Sequence, residues 1–203
     1  MQQINKYIQE RLHINKDIKN YNYHPKTNGE LIKIVDQLIK ERGNDANLND
    51  IDTSEITDMH ALFYKSEFNG DISEWDVSNV EDMDYIFYDS KFTGKNGDIS
   101  NWDVSNVKDM ESMFYRSKFN GDISKWDVSK VEDMSFMFGN SSFTGENGDI
   151  SNWDVSNVKI MNCMFYKSKF DGDISKWNVS KVINMNHMFY ESPLEKNPPK
   201  WYK

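Results

Sequence analysis

The sequence predicts an α/β solenoid, a right-handed stack of short parallel strands and short helices behind a helical cap. Three observations predict it: tryptophan recurs at near-constant spacing, one phrase recurs around it, and the repeat length changes only at a Gly/Asn turn. The intervals are 27, 24, 27, 24 and 24 residues, between Trp75, Trp102, Trp126, Trp153, Trp177 and Trp201. Periods of this size are typical of proteins whose units stack on their neighbours.

The repeated phrase defines six copies. Five tryptophans stand in G-D-I-S-x-W-[DN]-V-S, followed by V-x-x-M-x-x-[MI]-F, and a degenerate first copy has Ile51 at the Trp position. The longer copies carry extra residues at 93–97 and 144–148. Residues 91–134 and 142–185 agree at 34 of 44 positions, so a 51-residue pair is the apparent unit of duplication. We assign 48–194 to the six repeats.

Each repeat is predicted to contain one strand and one helix. Trp75 and Val77 alternate with Asp76 as in a half-buried strand. Ser78 stands where a helix N-cap belongs, and the apolar residues behind it follow the spacing of a two-turn helix. This is the geometry of a leucine-rich-repeat-type stack, with strands about 4.8 Å apart. The predicted core is a tryptophan column (Trp75, Trp102, Trp126, Trp153, Trp177) and a phenylalanine column (Phe87, Phe114, Phe138, Phe165, Phe189).

The two ends of the stack are expected to be capped, because a solenoid otherwise exposes its core. We assign 1–47 to an N-terminal helical capping region, with one helix in 1–19 and a second over 27–42 that ends at Gly43. Residues 195–203 form a C-terminal cap or tail. This tail is expected to fold back over at least one of two isoleucines that interrupt charged columns, Ile160 and Ile183.

Composition excludes several classes of function. The net charge of −9 argues against direct nucleic-acid binding. The single Cys163 and four scattered histidines give no metal-ligand spacing, and no catalytic arrangement stands out from the repeats, so we expect no enzyme, no cofactor and no metal site. The sequence has no apolar run of about 20 residues, so we expect no membrane insertion. Without a signal peptide at the N-terminus, we expect a cytoplasmic or virion-associated protein.

Aspartates recur in two columns that have two interpretations. One is a calcium ladder, since Asn-Gly-Asp repeats occur in calcium-binding β-rolls. The other is that the first column serves turns after glycine while the second lies on a solvated strand face. The columns are Asp71, Asp98, Asp122, Asp149, Asp173 and Asp76, Asp103, Asp127, Asp154.

The phrases Gly-Asp-Ile-Ser-Asn-Trp-Asp-Val-Ser-Asn-Val-Lys-Asp-Met and Met-Phe-Tyr resemble the BspA-like leucine-rich-repeat family over residues 49–194. Members occur on bacterial, mycoplasmal and protist surfaces, and the short N-terminal region resembles phage-encoded members. The resemblance implies a binding or adhesion function without catalysis, and a cell-surface location.

The leading functional hypothesis is a non-enzymatic module that presents a binding face to a protein partner, from the host or from a second copy. One candidate face is the variable column, Glu74, Asn101, Lys125, Asn152 and Lys176. Another is the tyrosine stripe, Tyr64, Tyr88, Tyr115, Tyr166 and Tyr190, which serves either packing between repeats or binding.

Two alternatives stay open. One is an adhesin for glycans or cell surfaces, which in one version of this hypothesis is displayed on a phage particle. The other is an acidic decoy of a nucleic-acid-binding host defence protein, because residues 51–154 carry 8 basic and 22 acidic residues, a net of −14.

Overall fold

The computed structural model describes residues 21–203, in which the repeats lie side by side in parallel register. Helix α1 spans Asn28–Arg42, and a short 3-10 helix spans Pro193–Glu195. Single parallel bridges connect successive repeats through Asp58, Asp82, Asp109, Asp133, Ile160 and Asn184. The helix expected in 1–19 lies outside the described residues.

The prediction of an α/β solenoid is wrong. Between the two helices just named, the described chain has turns, bends and isolated bridges, with no helix in any repeat and no continuous strand. The segment expected to be helical, Val80–Phe87, is a series of turns, and the segment around Trp75 is bounded by turns on both sides. The stack is therefore held by contacts between turns rather than by a sheet.

The turn ladder, residues 83–90 and their equivalents, shows why no helix forms. Alternate backbone N–H groups leave the repeat and donate to carbonyls of the next one, at 2.7–3.0 Å in the second repeat. These bonds run from Met83 to Asp109, Tyr85 to Glu111, Phe87 to Met113 and Asp89 to Tyr115. A helix would direct every one of these N–H groups to a carbonyl four residues earlier in its own segment.

The intervening N–H groups of the turn ladder close local turns. They donate to the carbonyl three residues earlier, as Ile86 does to Met83 (3.4 Å) and Tyr88 does to Tyr85 (3.0 Å). Consecutive turns require left-handed residues, and φ is 54° at Tyr85 and 51° at Asp89. Each such residue costs about 1–2 kcal/mol, so the bonds between repeats must offset strain. The same two positions are left-handed in all six repeats: Ala61, Lys65, Tyr85, Asp89, Ser112, Arg116, Phe136, Asn140, Cys163, Lys167, His187 and Glu191.

The tryptophans form the second link between repeats. The first five indoles are buried and that of Trp201 is half-buried. The Nε1–H of each donates to a backbone carbonyl of the preceding repeat, as Trp126 does to Ile99 at 3.0 Å. Trp75 to Leu48, Trp102 to Ile72, Trp153 to Ile123, Trp177 to Ile150 and Trp201 to Ile174 repeat this bond at 2.9–3.2 Å. The large ring and its one polar atom are thus both satisfied inside the stack.

The phenylalanines form the centre of the core. Phe87, Phe114 and Phe138 have no more than 1% of their surface exposed, as do Phe165 and Phe189. Neighbouring rings in this column are nearly parallel, with centroids 5.6 Å apart for Phe87 and Phe114. A second ring from the same repeat lies closer still, at 4.5 Å between Phe87 and Phe92. Offset aromatic stacking therefore continues along the stack.

Both aspartate columns build turns. The Oδ1 atom of Asp71 accepts from the N–H of Ser73 at 3.0 Å, and that of Asp76 accepts from the N–H of Ser78 at 3.0 Å. We expected the second column on a solvated strand face and Ser78 at the N-cap of a helix. Both expectations are wrong, because these residues form turns. A side chain that bonds to the backbone two residues ahead stabilises a turn locally, which explains the Asp-x-Ser spacing.

Helix α1 covers the first repeats. Thr27 Oγ1 accepts from the N–H of Glu30, and the helix ends at Gly43 with φ of 88°. Leu31, Val35 and Leu38 are fully buried in the core, so the apolar face of the helix closes this end of the stack. The domain boundaries at 47 and 194 stay predictions.

The C-terminal tail packs on the last aromatic rings. The Trp201 ring stacks on Trp177 at 6.5 Å, and the Tyr202 ring meets Phe189 edge-on at 4.9 Å. Ile183 nevertheless has 83% of its surface exposed. The tail therefore extends the tryptophan column and leaves this isoleucine uncovered.

The indole link predicts the effect of Trp126→Ala. This change removes a buried ring and its bond to Ile99, so the free energy of unfolding should fall by about 3–5 kcal/mol. Urea denaturation followed by circular dichroism measures it. Trp126→Phe keeps an apolar ring and should lose less; a parental midpoint for Trp126→Ala would contradict the role of the column.

The two alanines provide a matched test of the left-handed positions. Ala61 has φ of 55°, so Ala61→Gly should relieve strain and raise stability by about 0.5–1 kcal/mol. Ala46 is buried without a positive φ, so Ala46→Gly should lower stability by about 0.5–1 kcal/mol. The denaturation midpoints of the two variants measure these changes in stability. A change in the same direction in both variants would refute the explanation.

Candidate functional site

The variable column lies at the tryptophan corner of the stack. All five of its residues are exposed, and each precedes a buried tryptophan by one position, so they follow one another a repeat apart. The backbone N–H of Glu74 donates to Asn49 Oδ1 of the preceding repeat at 3.0 Å. The column therefore offers one acid, two amides and two lysines on a fixed backbone.

The tyrosine stripe lies on the turn ladder. Tyr64 stacks on Tyr88 at 4.9 Å, and Tyr88 stacks on Tyr115 at 5.0 Å. Tyr166 and Tyr190 form a second stacked pair at 5.5 Å. The two outer rings are the most open, with 45% of Tyr64 and 43% of Tyr190 exposed. The structure thus brings all five together as two stacked groups, and half of each outer ring faces solvent.

Gly139 separates the two groups of the stripe. A Cβ atom built at this position would lie 2.8 Å from Cδ2 of Tyr115, so that ring lies over the glycine backbone. The Phe136 ring also meets Tyr115 edge-on at 5.9 Å. The interruption in the column is therefore filled by a neighbouring ring, and a side chain at position 139 would displace it.

Cations line the stripe, a feature that the sequence interpretation missed. Lys65 Nζ lies 5.0 Å from the centroid of Tyr64, and Lys167 Nζ lies 5.3 Å from that of Tyr166. Arg116 lies near Asp89, with 3.8 Å between Nε and Oδ1. The sequence contained a sign of this feature, because a charged residue follows each tyrosine of the stripe. These residues are Lys65, Asp89, Arg116, Lys167 and Glu191.

A titratable pair lies beside the stripe. His60 Nδ1 bonds to Asp84 of the next repeat. Burial raises the pKa of the Asp84 carboxyl to about 6, and Asp82 adds to the rise while His60 opposes it. Burial opposes protonation of His60, but the bond to Asp84 and the negative charges of Asp84, Asp82 and Asp58 together outweigh it, so the pKa of the imidazole lies above its usual value.

Within residues 21–203, no group of three or more His, Cys, Asp or Glu side chains is placed to hold a metal ion. In the same part of the chain, no helix combines the length and apolarity needed to span a membrane.

Comparison with known proteins gives a family and no activity. A family model described as "Mycoplasma protein of unknown function, DUF285" matches residues 33–146 and again 90–201. The chain belongs to this family. No curated protein and no solved structure matches it. The two overlapping matches of the DUF285 model extend from α1 through the last repeat, so the family covers the whole stack.

The Asp84–His60 pair predicts a pH dependence of stability. Because the Asp84 pKa is raised to about 6, the folded protein binds more protons than the unfolded chain between about pH 4 and 6. The raised pKa of His60 extends this range upward. The free energy of unfolding should therefore fall as pH rises from about 4 to 7.

Asp84→Asn should reduce this slope, measured by urea denaturation across the same range. Asp173→Asn is the control, because the Ser175 N–H lowers the pKa of the exposed Asp173 carboxyl and its titration lies below this window. An unchanged slope in Asp84→Asn would refute the assignment.

Proposed function

We propose that this protein is a non-enzymatic binding module that presents the tyrosine stripe to a protein partner. The observation that carries the proposal is the stacking of the five tyrosines in two groups on the outer side of the turn ladder, with nearly half of each outer ring exposed. Tyrosine is enriched at protein interfaces because a rigid ring offers apolar area and a hydroxyl at little entropic cost.

Rigidity supports this role. Each ring rests on its neighbour, and the backbone beneath it is held by bonds between repeats, as from the N–H of Lys65 to the Tyr88 carbonyl at 2.7 Å. A preorganised surface loses little conformational entropy when a partner binds. Lys65 adds a cation that a partner's carboxylates would contact, whereas Lys167 already pairs with Glu191 at 3.3 Å.

The variable column is the second candidate face in the proposal. Its side chains differ from repeat to repeat while the Trp and Ile beside them do not, so recognition can vary without changing the core. A BspA-like relationship and a cell-surface, cytoplasmic or virion-associated location stay predictions.

Site-specific photocrosslinking separates the two faces. A photoreactive phenylalanine replaces Tyr64 in one variant and Asn101 of the variable column in another, and each is exposed to host lysate. The proposal expects one partner to be crosslinked through position 64 and not through position 101. Crosslinking through position 101 alone would assign binding to the variable column instead.

The affinity of that partner then tests the rings themselves. Tyr64→Ala and Tyr88→Ala should each weaken binding about 30-fold, the effect of losing about 2 kcal/mol at an interface hot spot. Asn101→Ala and Lys125→Ala are controls on the variable column and should leave the dissociation constant unchanged. Tyrosine variants that fold and bind like the parent would overturn the proposal.

A further inference from the structure

A groove lies on the side of the stack that carries the two long loops, residues 93–97 and 144–148. One depression of about 260 Å³ is lined by Asp89, Lys91, Arg116 and Lys118 among others. A second, of about 710 Å³, lies between the loops and is lined by Lys95 and again by Lys118. Because the two depressions share Lys118, they form one continuous surface, the basic groove.

The basic groove departs from the charge pattern of a neighbouring outer column. In the column Glu81, Lys108, Glu132, Lys159 the sign alternates, and each lysine pairs with a glutamate of the preceding repeat. In the groove, Lys91 and Lys118 occupy equivalent positions of adjacent repeats, since their N–H groups donate to Ser66 and Ser90 of the repeats before them. Two like charges are thereby held on backbones about 5 Å apart.

Within residues 21–203, three of the four cations of the groove have no carboxylate partner. Among the described residues, no carboxylate lies within ion-pair distance of the ammonium group of Lys91, Lys95 or Lys118, and Asp89 approaches only Arg116. Four cations and one carboxylate therefore line a groove in a chain whose net charge is −9. An external anion would relieve the repulsion that this column otherwise retains.

The floor of the groove is glycine backbone that lies over a buried ring. Gly94 and Gly121 lie against the buried ring of Phe119, and a Cβ built at either position would lie 2.8–2.9 Å from ring carbon Cε2. Thr93, Asn120 and Asn147 supply hydroxyl and amide groups around this floor. Because the two loops are two repeats apart, their backbones are about 10 Å apart, with the turn at Asn120 and Gly121 between them.

We propose that the basic groove binds an acidic polysaccharide, with its sulfate or carboxylate groups on Lys91, Lys95, Arg116 and Lys118. A sugar ring has an apolar face that fits the glycine floor and hydroxyls that fit the amides at its sides. A peptide strand fits less well, because it docks through free backbone groups. Here the N–H of Asn120 is directed to the Thr93 carbonyl, and that of Thr144 donates to Asn120 Oδ1. This site borders the tyrosine stripe at Asp89 and Arg116, but no tyrosine ring lines it.

Titration calorimetry with defined polymers tests the proposal. The probes are dextran sulfate, alginate, neutral dextran and polyglutamate, each added to the full chain at low and at high salt. We expect one or both acidic polysaccharides to bind at low salt and to weaken as salt rises. Neutral dextran should not bind. The two acidic polysaccharides distinguish sulfate from carboxylate as the group recognised.

Charge-matched variants locate the site. Lys91→Glu/Lys118→Glu should weaken binding at least about tenfold, whereas Lys125→Glu/Lys176→Glu, with the same change in net charge on the variable column, should change it less than about twofold. Lys91→Gln/Lys118→Gln repeats the test with a milder change should the first variant fail to fold.

Three results would overturn the proposal. They are no binding to either acidic polysaccharide, equal losses in the two charge-matched variants, and tighter binding of polyglutamate, which would assign the groove to an acidic peptide. The Tyr64→Ala variant should bind the polysaccharide like the parent. A failure of the protein-binding proposal would therefore not change the outcome of this polysaccharide test.

Discussion

The division of backbone N–H groups between local turns and the next repeat is the constraint on which the rest of the structure depends. In the turn ladder, one N–H closes a turn and the following one leaves for a neighbouring carbonyl. The arrangement holds two residues per repeat at left-handed φ. Since each such residue is unfavourable alone, a single repeat would not keep this conformation without a neighbour. The aromatic columns, the tyrosine stripe and the basic groove all require that neighbour.

Much of the core was predictable from the sequence, although its backbone was not. The spacing of Val80, Met83 and Phe87 is shared by a helical face and by the consecutive turns of the structure, in which all three side chains are buried. Side-chain periodicity alone cannot separate the two. Tyr85 and Asp89 give little sign of left-handed φ, because the residues equivalent to Tyr85 include alanine, serine, phenylalanine, cysteine and histidine. Helix α1 was easier to predict from the sequence, because Thr27, Glu30 and Gly43 are residues typical of helix caps.

The candidate surfaces differ in how readily the sequence predicts them. The tyrosine stripe and the variable column follow from the repeat register, because any outward position recurs as a column. The basic groove required the structure, since Lys95 belongs to an inserted loop and Lys118 to the following repeat, and only their approach across Gly94 and Gly121 makes one surface. The pairing of His60 with Asp84 likewise needed the offset between repeats.

The direction of the turn ladder gives this corner of the stack an electrical polarity, whereas bonds such as that from the Lys108 N–H to the Glu81 carbonyl run the opposite way at another corner. From Met83 to Asp109 and onward, the ladder N–H groups point toward the C-terminal repeat, so their peptide dipoles add along the axis at this corner, as they do in a helix. Each end of the turn ladder carries a side-chain group that compensates the partial charge of the ladder at that end. The side-chain amide of Asn28 donates to the His60 carbonyl at the first repeat, and the Glu195 carboxylate accepts from the Glu191 N–H at the last. A short array of turns thus acquires end-capping requirements that are familiar from a single α-helix.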